Sequence, residues 1–274
     1  YMIDSNFNNQ PEYSFDLKSK FLFMRHGQSK FNIDKTPTLK INPNNIDSPL
    51  SEKGIKEAKK AQSIINNLKL EKVYVSPFYR TLQTVTYALE KHPNLENIVV
   101  VVHPAIHEKT SNVNNYCLDI KKNKKEFNMN SKVKIDGSVF DEVMKNNKYG
   151  ENFFYFEGFV LFDEKEKMDF YNKVKAAYDS GDTEKFKEEL SNMAKVCKDD
   201  LRKKETYKHV FSRFIEFKKD MLKIHKDTLK NTDDKILVVT HNSFIRVLTS
   251  RTPYDSDEVK DYHKDVFLYR MVIY

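Results

Sequence analysis

Phe21-Leu22-Phe23-Met24-Arg25-His26-Gly27-Gln28-Ser29 is an apolar run that stops on a cation, an imidazole and a glycine. The apolar part is too short for a helix, and its lack of polar alternation suits a strand buried on both faces. Outward from it the chain repeats a pattern. Ser51 opens a predicted helix in which Ile55, Ala58, Ala61, Ile65 and Leu68 recur at helical spacing through Leu70, with Lys56, Glu57, Lys59 and Lys60 on the other side. Val73-Tyr74-Val75 reads as a second strand. Ser76-Pro77 is expected to cap a helix running to Glu90, because a serine accepts from first-turn amides and a proline suits the first helical position. Ile98 to Val102, entirely β-branched, is a third strand.

Strand and helix in alternation predict an α/β protein with a parallel sheet. Ile236 to Val239 is a fourth strand, followed by a helix from Asn242 to Thr249, and Val266 to Tyr274 is expected as a last, antiparallel edge strand. The reading is a polar tail over residues 1–19 and one domain over 20–274, interrupted by a mainly helical cap at about 105–234. Helices are predicted there over Lys165 to Ser180, Thr183 to Arg202 and Tyr207 to Leu229, the last with Val210, Phe214, Phe217, Met221 and Ile224 on one face. Phe153-Phe154-Tyr155-Phe156 and Phe159 to Phe162 form the densest aromatic patch, read first as core, with a substrate lid or partner surface as the alternative.

With 274 residues and 39% hydrophobic content the chain buries a full core. No stretch approaches the roughly 20 consecutive apolar residues of a membrane helix, and Tyr1 to Lys20 holds no apolar signal core. The expectation is a soluble, cytoplasmic protein with no membrane partner. The net charge of +7 favours anionic ligands. The lysines are spread along the chain and no nucleic-acid motif accompanies them, so a solvated lysine surface and no nucleic-acid partner are expected. Cys117 and Cys197 lack paired or metal-type spacing and read as free thiols.

In an open parallel sheet, ligands bind beyond the carboxyl ends of the strands. Arg25 and His26 end the first strand, Arg80 lies one helical turn past the second, Glu108 follows the third and His241 the fourth. Two arginines and two histidines in one crevice make a phosphate site, because guanidinium groups match phosphoryl oxygens bidentately and a protonated imidazole adds charge. A nearby carboxyl group completes it as acid.

Four blocks carry a family resemblance. They are Arg25-His26-Gly27-Gln28-Ser29 with Asn32 after it, Asp47-Ser48-Pro49-Leu50-Ser51-Glu52-Lys53-Gly54, Ser76-Pro77-Phe78-Tyr79-Arg80-Thr81-Leu82-Gln83-Thr84, and Val238-Val239-Thr240-His241-Asn242-Ser243. With these the chain resembles the histidine phosphatase superfamily, in its phosphoglycerate-mutase-like branch. The resemblance implies a three-layer α/β/α sandwich and a covalent phosphohistidine. It implies His26 as nucleophile, with Arg25, Arg80 and His241 as the phosphoryl pocket and Asn32 as a further contact. Gly27 is expected to let the backbone and its amide approach the phosphate, with Asn242 a further binding residue. Glu108 is the expected proton donor and later base, by its position after the third strand. No metal or other cofactor is expected, since side chains already supply the charge.

Other motifs compete less well. His103 and His107 beside Glu108 suggest zinc, but Pro104 opposes the continuous helix that would put both on one face. Asp255-Ser256-Asp257-Glu258-Val259 imitates an aspartate-nucleophile motif without the apolar strand that should precede it. Neither cysteine has the arginine six positions on that a cysteine phosphatase needs, and no phosphate-binding glycine loop occurs. Between hydrolysis and mutase activity the sequence leans to hydrolysis. Where mutases of the resembled family follow the glutamate with Arg-His-Tyr-Gly, Glu108 is followed by Lys109-Thr110-Ser111, and Pro43-Asn44 stand for their Thr-Gly pair. The expected activity is a phosphomonoesterase acting on a phosphorylated metabolite or similar ester. The alternatives are a cofactor-dependent phosphoglycerate mutase and a catalytically weak phospho-ligand scaffold. Substrate identity and oligomeric state have no signature in the chain.

Overall fold

The computed structural model describes residues 20–159, 162–225, 233–248 and 269–271. In chain order its strands and helices are β1 (Phe21–Arg25), α1 (Lys30–Ile33), α2 (Glu52–Lys60), α3 (Gln62–Ile65), β2 (Lys69–Val75), α4 (Tyr79–Leu89), β3 (Val99–Val102), α5 (Ile120–Asn130), β4 (Lys134–Asp136), α6 (Ser138–Met144), α7 (Glu164–Asp179), α8 (Thr183–Asp199), α9 (Tyr207–Ile224), β5 (Asp234–Thr240), α10 (Asn242–Leu248) and β6 (Tyr269–Met271). The strands form one sheet in the order β4-β3-β2-β5-β1-β6, and every pairing is parallel.

The two faces of the sheet follow the strand period of two. Leu22, Met24, Val73, Val75, Val100, Val102, Leu237 and Val239 pack on one side with Leu82, Val85 and Leu89 of α4. Phe23, Tyr74, Val101, Ile236 and Val238 point to the other side and meet Val210, Phe214, Phe217 and Met221 of α9 and Phe244 and Val247 of α10. Helices on both faces make three layers, which is the expected sandwich. The aromatic patch joins the first of these cores: Phe153, Phe154, Tyr155, Phe156, Phe159 and Phe162 are all buried, which supports the core reading rather than a lid. Each fully buried ring of this kind contributes about 2 kcal/mol.

Several boundaries differ from expectation for reasons of pairing. The helix predicted through Leu70 ends at Ile65, because Lys69 and Leu70 pair with Asp234 and Lys235 of β5 and extend β2 backwards. Strand β4, short and polar, has no sequence signal, yet it lies beside β3 from within the insertion. Strand β6 runs parallel to β1, correcting the antiparallel expectation. The segment read as a cap therefore supplies β4 to the sheet and α9 to the second layer. The remainder of the helix predicted to Leu229, the end of the one predicted to Thr249, most of the last predicted strand, the Asp255 to Val259 motif and the polar tail 1–19 lie outside the described residues. Among the described residues no helix is long and apolar enough to cross a membrane.

Candidate functional site

Register brings the site together. Arg25 is level with Thr240 across β1 and β5, and Val75 with Val239 across β2 and β5, so His26, Ser76 and His241 all leave the sheet at one edge. The His26 amide donates to the Thr240 carbonyl at 3.0 Å and the Ser76 amide to the Val239 carbonyl at 3.0 Å. The imidazoles of His26 and His241 stand with centroids 5.1 Å apart.

The tautomer of His26 follows from its partners. Its Nδ1 lies 2.7 Å from the Gly27 carbonyl oxygen, which only accepts, so Nδ1 carries the proton. Nε2 then holds the lone pair, and Arg80 Nε donates to it at 3.3 Å. Burial, followed by the charges of Arg80 and Arg25, keeps the imidazole pKa well below its ordinary value, so His26 is neutral at physiological pH.

Arg80, in the first turn of α4, is itself buried, with Nη1 donating to the Asn114 carbonyl at 2.8 Å and the guanidinium stacked 4.7 Å from the Phe78 ring centroid. Burial lowers its pKa to about 10, partly offset by Asp47 and Glu108, and it stays a cation at neutral pH. Arg25 Nε is buried with no partner among the described residues, as is His241 Nδ1. His241 is held well below its ordinary pKa by burial first and then by Arg80 and His26. The expectation of a protonated His241 is thereby corrected for the ligand-free site: its positive charge comes from the arginines.

Glu108 is half-buried at the end of the loop after β3, with Oε1 accepting from the Lys109 amide at 2.8 Å. That loop is clamped from the insertion and from α9. Arg213 Nη1 donates to the carbonyls of Ala105 at 2.5 Å and His107 at 3.1 Å, and Arg213 Nε donates to Glu205 Oε1 at 2.9 Å. Glu205 Oε2 accepts from the Thr110 amide at 2.7 Å, and Thr240 Oγ1 donates to the Ile106 carbonyl at 2.6 Å.

Three expected binding residues are held otherwise than anticipated or left open. The Gly27 amide donates to Thr84 Oγ1 at 3.1 Å, and a Cβ at Gly27 would sit 2.4 Å from the Gly54 carbonyl oxygen. The glycine is therefore required by the close approach of α2, rather than by a phosphate reaching its amide. Asn32 is exposed and its Oδ1 accepts from the Ser29 amide at 2.9 Å and Ser29 Oγ at 2.8 Å, a capping box that leaves only its amide nitrogen for an anion. Asn242 opens α10, half-buried beside His241.

The cap expected from Ser76-Pro77 is also replaced. The N-cap of α4 is Phe78, which has no side-chain cap bond, and the Tyr79 amide donates instead to Asp47 Oδ1 at 2.9 Å. Asp47 is the non-glycine residue with positive φ among those described, at 45°. Its Oδ2 accepts from Asn123 Nδ2 at 3.1 Å and lies 3.5 Å from Cys117 Sγ. Burial pushes this carboxyl up to about 6, against the pull of Arg80. Sequence reading passed over Asp47, Ser76, Thr84, Glu205 and Arg213 as site-forming residues. For the first three the signal was present, since they lie inside quoted motif blocks, whereas Glu205 and Arg213 have no local pattern. A cleft of ≈ 920 Å³ opens behind Asp47 among Tyr79, Asn123, Glu126 and the Tyr178–Asp182 turn, without touching His26, Arg80 or His241.

Residues 21–113 match the histidine phosphatase superfamily, branch 1. A 2,3-bisphosphoglycerate-dependent phosphoglycerate mutase of Lactobacillus acidophilus is 39% identical over 79 residues, 28% of this chain and 32% of that protein. The fructose-2,6-bisphosphatase TIGAR of Bos taurus is 34% identical over 86 residues, 31% of this chain and 30% of that protein. The matches thus span about a third of the length of these curated relatives. Among solved structures, a putative alpha-ribazole-5'-P phosphatase from Escherichia coli aligns with a TM-score of 0.42 at 15% identity, covering 86% of this chain and 81% of that one. His241 lies outside the matched residues, whereas Arg25, His26, Arg80 and Glu108 lie within them. The likeness to the histidine phosphatase superfamily, branch 1, is thus carried by this one segment, residues 21–113.

Proposed function

We propose that the protein is a phosphomonoesterase that works through a covalent phosphohistidine at His26. The observation that carries this reading is the Nδ1 bond of His26 to the Gly27 carbonyl, which leaves Nε2 as a lone pair beside Arg80. In the proposed reaction Nε2 attacks phosphorus, the ester P–O bond breaks, and the leaving oxygen takes its proton from Glu108. Arg25 and Arg80 offset charge on the equatorial oxygens of the transition state, aided by a hydrogen bond from His241. Glu108, now a carboxylate, removes a proton from water, which attacks phosphorus and releases His26 and inorganic phosphate. Asn32 and Asn242 are proposed as peripheral contacts to the same phosphoryl group.

A small phosphorylated metabolite is the proposed substrate class, a reading supported by the bisphosphate-handling relatives. Mutase activity is the second reading, favoured by the 39% identity to the Lactobacillus enzyme. Against it, the Thr110 amide that follows Glu108 is taken by Glu205, and Pro43–Asn45 is a 3₁₀ turn. The third reading is a phospho-ligand scaffold. The test is phosphate release from p-nitrophenyl phosphate and from a broad metabolite panel, with His26→Ala as blank. The expected result is turnover by the wild type alone. Persistent turnover by His26→Ala overturns the mechanism, interconversion of 2- and 3-phosphoglycerate selects the mutase, and vanadate binding without hydrolysis selects the scaffold.

A further inference from the structure

Ser76 Oγ lies 2.7 Å from His241 Nε2, and both residues are completely buried. The hydroxyl hydrogen of Ser76 has one acceptor among the described residues, that same nitrogen. A buried hydroxyl that donated to nothing would forfeit about 1–3 kcal/mol. The satisfied arrangement has Ser76 O–H donating to Nε2, which makes Nε2 the lone-pair nitrogen and puts the ring proton on Nδ1. Nδ1 is the ring atom with no partner among the described residues, at a pocket where Arg25 Nε is likewise unpartnered. The Phe78 ring meets the imidazole edge-on at 5.5 Å and 80°, which leaves it little freedom to flip. Ser76 is available for this because Asp47, rather than Ser76, serves the Tyr79 amide at the start of α4.

We infer that Ser76 is a positioning residue that fixes His241 as a neutral Nδ1–H hydrogen-bond donor to the phosphoryl group, the inference resting on the phosphomonoesterase reading for what that donor meets. The two imidazoles of the site then carry the same tautomer and present opposite ends. His26, bonded through Nδ1 to the Gly27 carbonyl, offers a lone pair, whereas His241, bonded through Nε2 to Ser76, offers an N–H. One attacks phosphorus and the other stabilises an equatorial oxygen without any change of protonation. Burial together with Arg80, His26, His107 and Arg25 opposes a second proton on His241, in keeping with a neutral donor.

The test reads the tautomer directly. Two-bond ¹⁵N–¹H correlation spectra of the ligand-free, histidine-labelled protein, with His241 assigned by its loss in His241→Gln, are expected to show a protonated Nδ1 and an unprotonated Nε2. In Ser76→Ala the proton is expected to redistribute to Nε2 and kcat to fall about tenfold, a fraction of the ~10²–10³ lost with a whole oxyanion donor. Ser76→Thr, which keeps the hydroxyl, is expected to restore both. A protonated Nε2 in the wild type, or a Ser76→Ala spectrum identical to the wild type, overturns the inference. The wild-type spectrum stands even if Ser76→Ala does not fold. Because it is taken without substrate, it is independent of the turnover assay: activity surviving in His26→Ala sinks the phosphohistidine while leaving the tautomer to its own measurement.

Discussion

Two buried carboxyl groups, one in the motif-bearing segments and one within the insertion, perform the same structural task under opposite electrostatics. Asp47 accepts the Tyr79 amide next to Arg80, and Glu205 accepts the Thr110 amide two residues past Glu108. Around Asp47 the hydrogen-bond donors are neutral, and burial outweighs them, raising its pKa to about 6. Burial also opposes ionisation of Glu205, but the Arg213 charge, with His209 bonded at 2.6 Å, outweighs it and holds the carboxyl below the usual range. The Arg80 end of the candidate site is thus fixed by a carboxyl that is easily neutralised, and the Glu108 loop by one committed to its charge. What separates them is a guanidinium in direct contact.

The largest expected effect comes from breaking that contact. Arg213→Met leaves Glu205 buried without its guanidinium partner, and breaking a buried pair in this way costs ~3–5 kcal/mol. Urea denaturation at neutral pH should show a loss of that order, and the double variant with Glu205→Gln should recover part of it. A loss below ~1 kcal/mol would mean that the loop is held by the bonds that survive the substitution, from the Thr110 amide to Glu205 and from Thr240 Oγ1 to the Ile106 carbonyl. Because the folded pKa of Glu205 is depressed, its stabilisation is present above the ordinary carboxylate pKa and lost as pH falls through the folded value; Arg213→Met should flatten that acid dependence.

Next comes packing. A Cβ at Gly54 would sit 2.0 Å from the Gln28 carbonyl oxygen, backbone against backbone, so Gly54→Ala should cost ~3 kcal/mol and pull α2 off the Arg25-His26-Gly27 turn. Asp47→Asn tests the other carboxyl. With a folded pKa of about 6 against an unfolded one of about 4, native protein binds more protons between these values, so wild-type stability falls as pH rises through the window. The fall should be ~2 kcal/mol in the wild type and absent in Asp47→Asn, measured as unfolding midpoints between pH 4 and 6.5. An unchanged slope in the variant would assign the titration to another group. The smallest effect belongs to the insertion. Gly181, at φ 74° with nothing near its missing Cβ, should lose only ~1 kcal/mol on Gly181→Ala, from backbone strain alone.

Much of the fold is legible in the chain because buried parallel strands demand apolar runs. Phe21 to Met24, Val73 to Val75, the valines of β3 and Ile236 to Val239 all announce themselves by composition. Strand β4, Lys134-Ile135-Asp136, does not, because an edge strand of that length is selected by what it pairs with. The boundary between α3 and β2 was equally unreadable, since Leu68 and Leu70 fit the helical period and only pairing with β5 draws Leu70 into the sheet. The aromatic patch was legible as core by density, and its rings are buried accordingly.

The alternating α/β architecture and the chemical inventory of the candidate site are written in local runs: strand ends, the Arg-His-Gly turn, the arginine in the first turn of α4 and the Thr-His step after β5. Tertiary structure alone decided how those groups are held. Ser76 looked like a helix cap and instead bonds His241, because Asp47 had already reached the Tyr79 amide from a distant loop. Gly27 looked like a phosphate contact and is required by Gly54. The tautomers of His26 and His241, and the clamp on the Glu108 loop, depend on partners far away in the chain. A hydrogen bond specifies atoms rather than residue types, and which atoms meet is settled only when β1, β2 and β5 come into register.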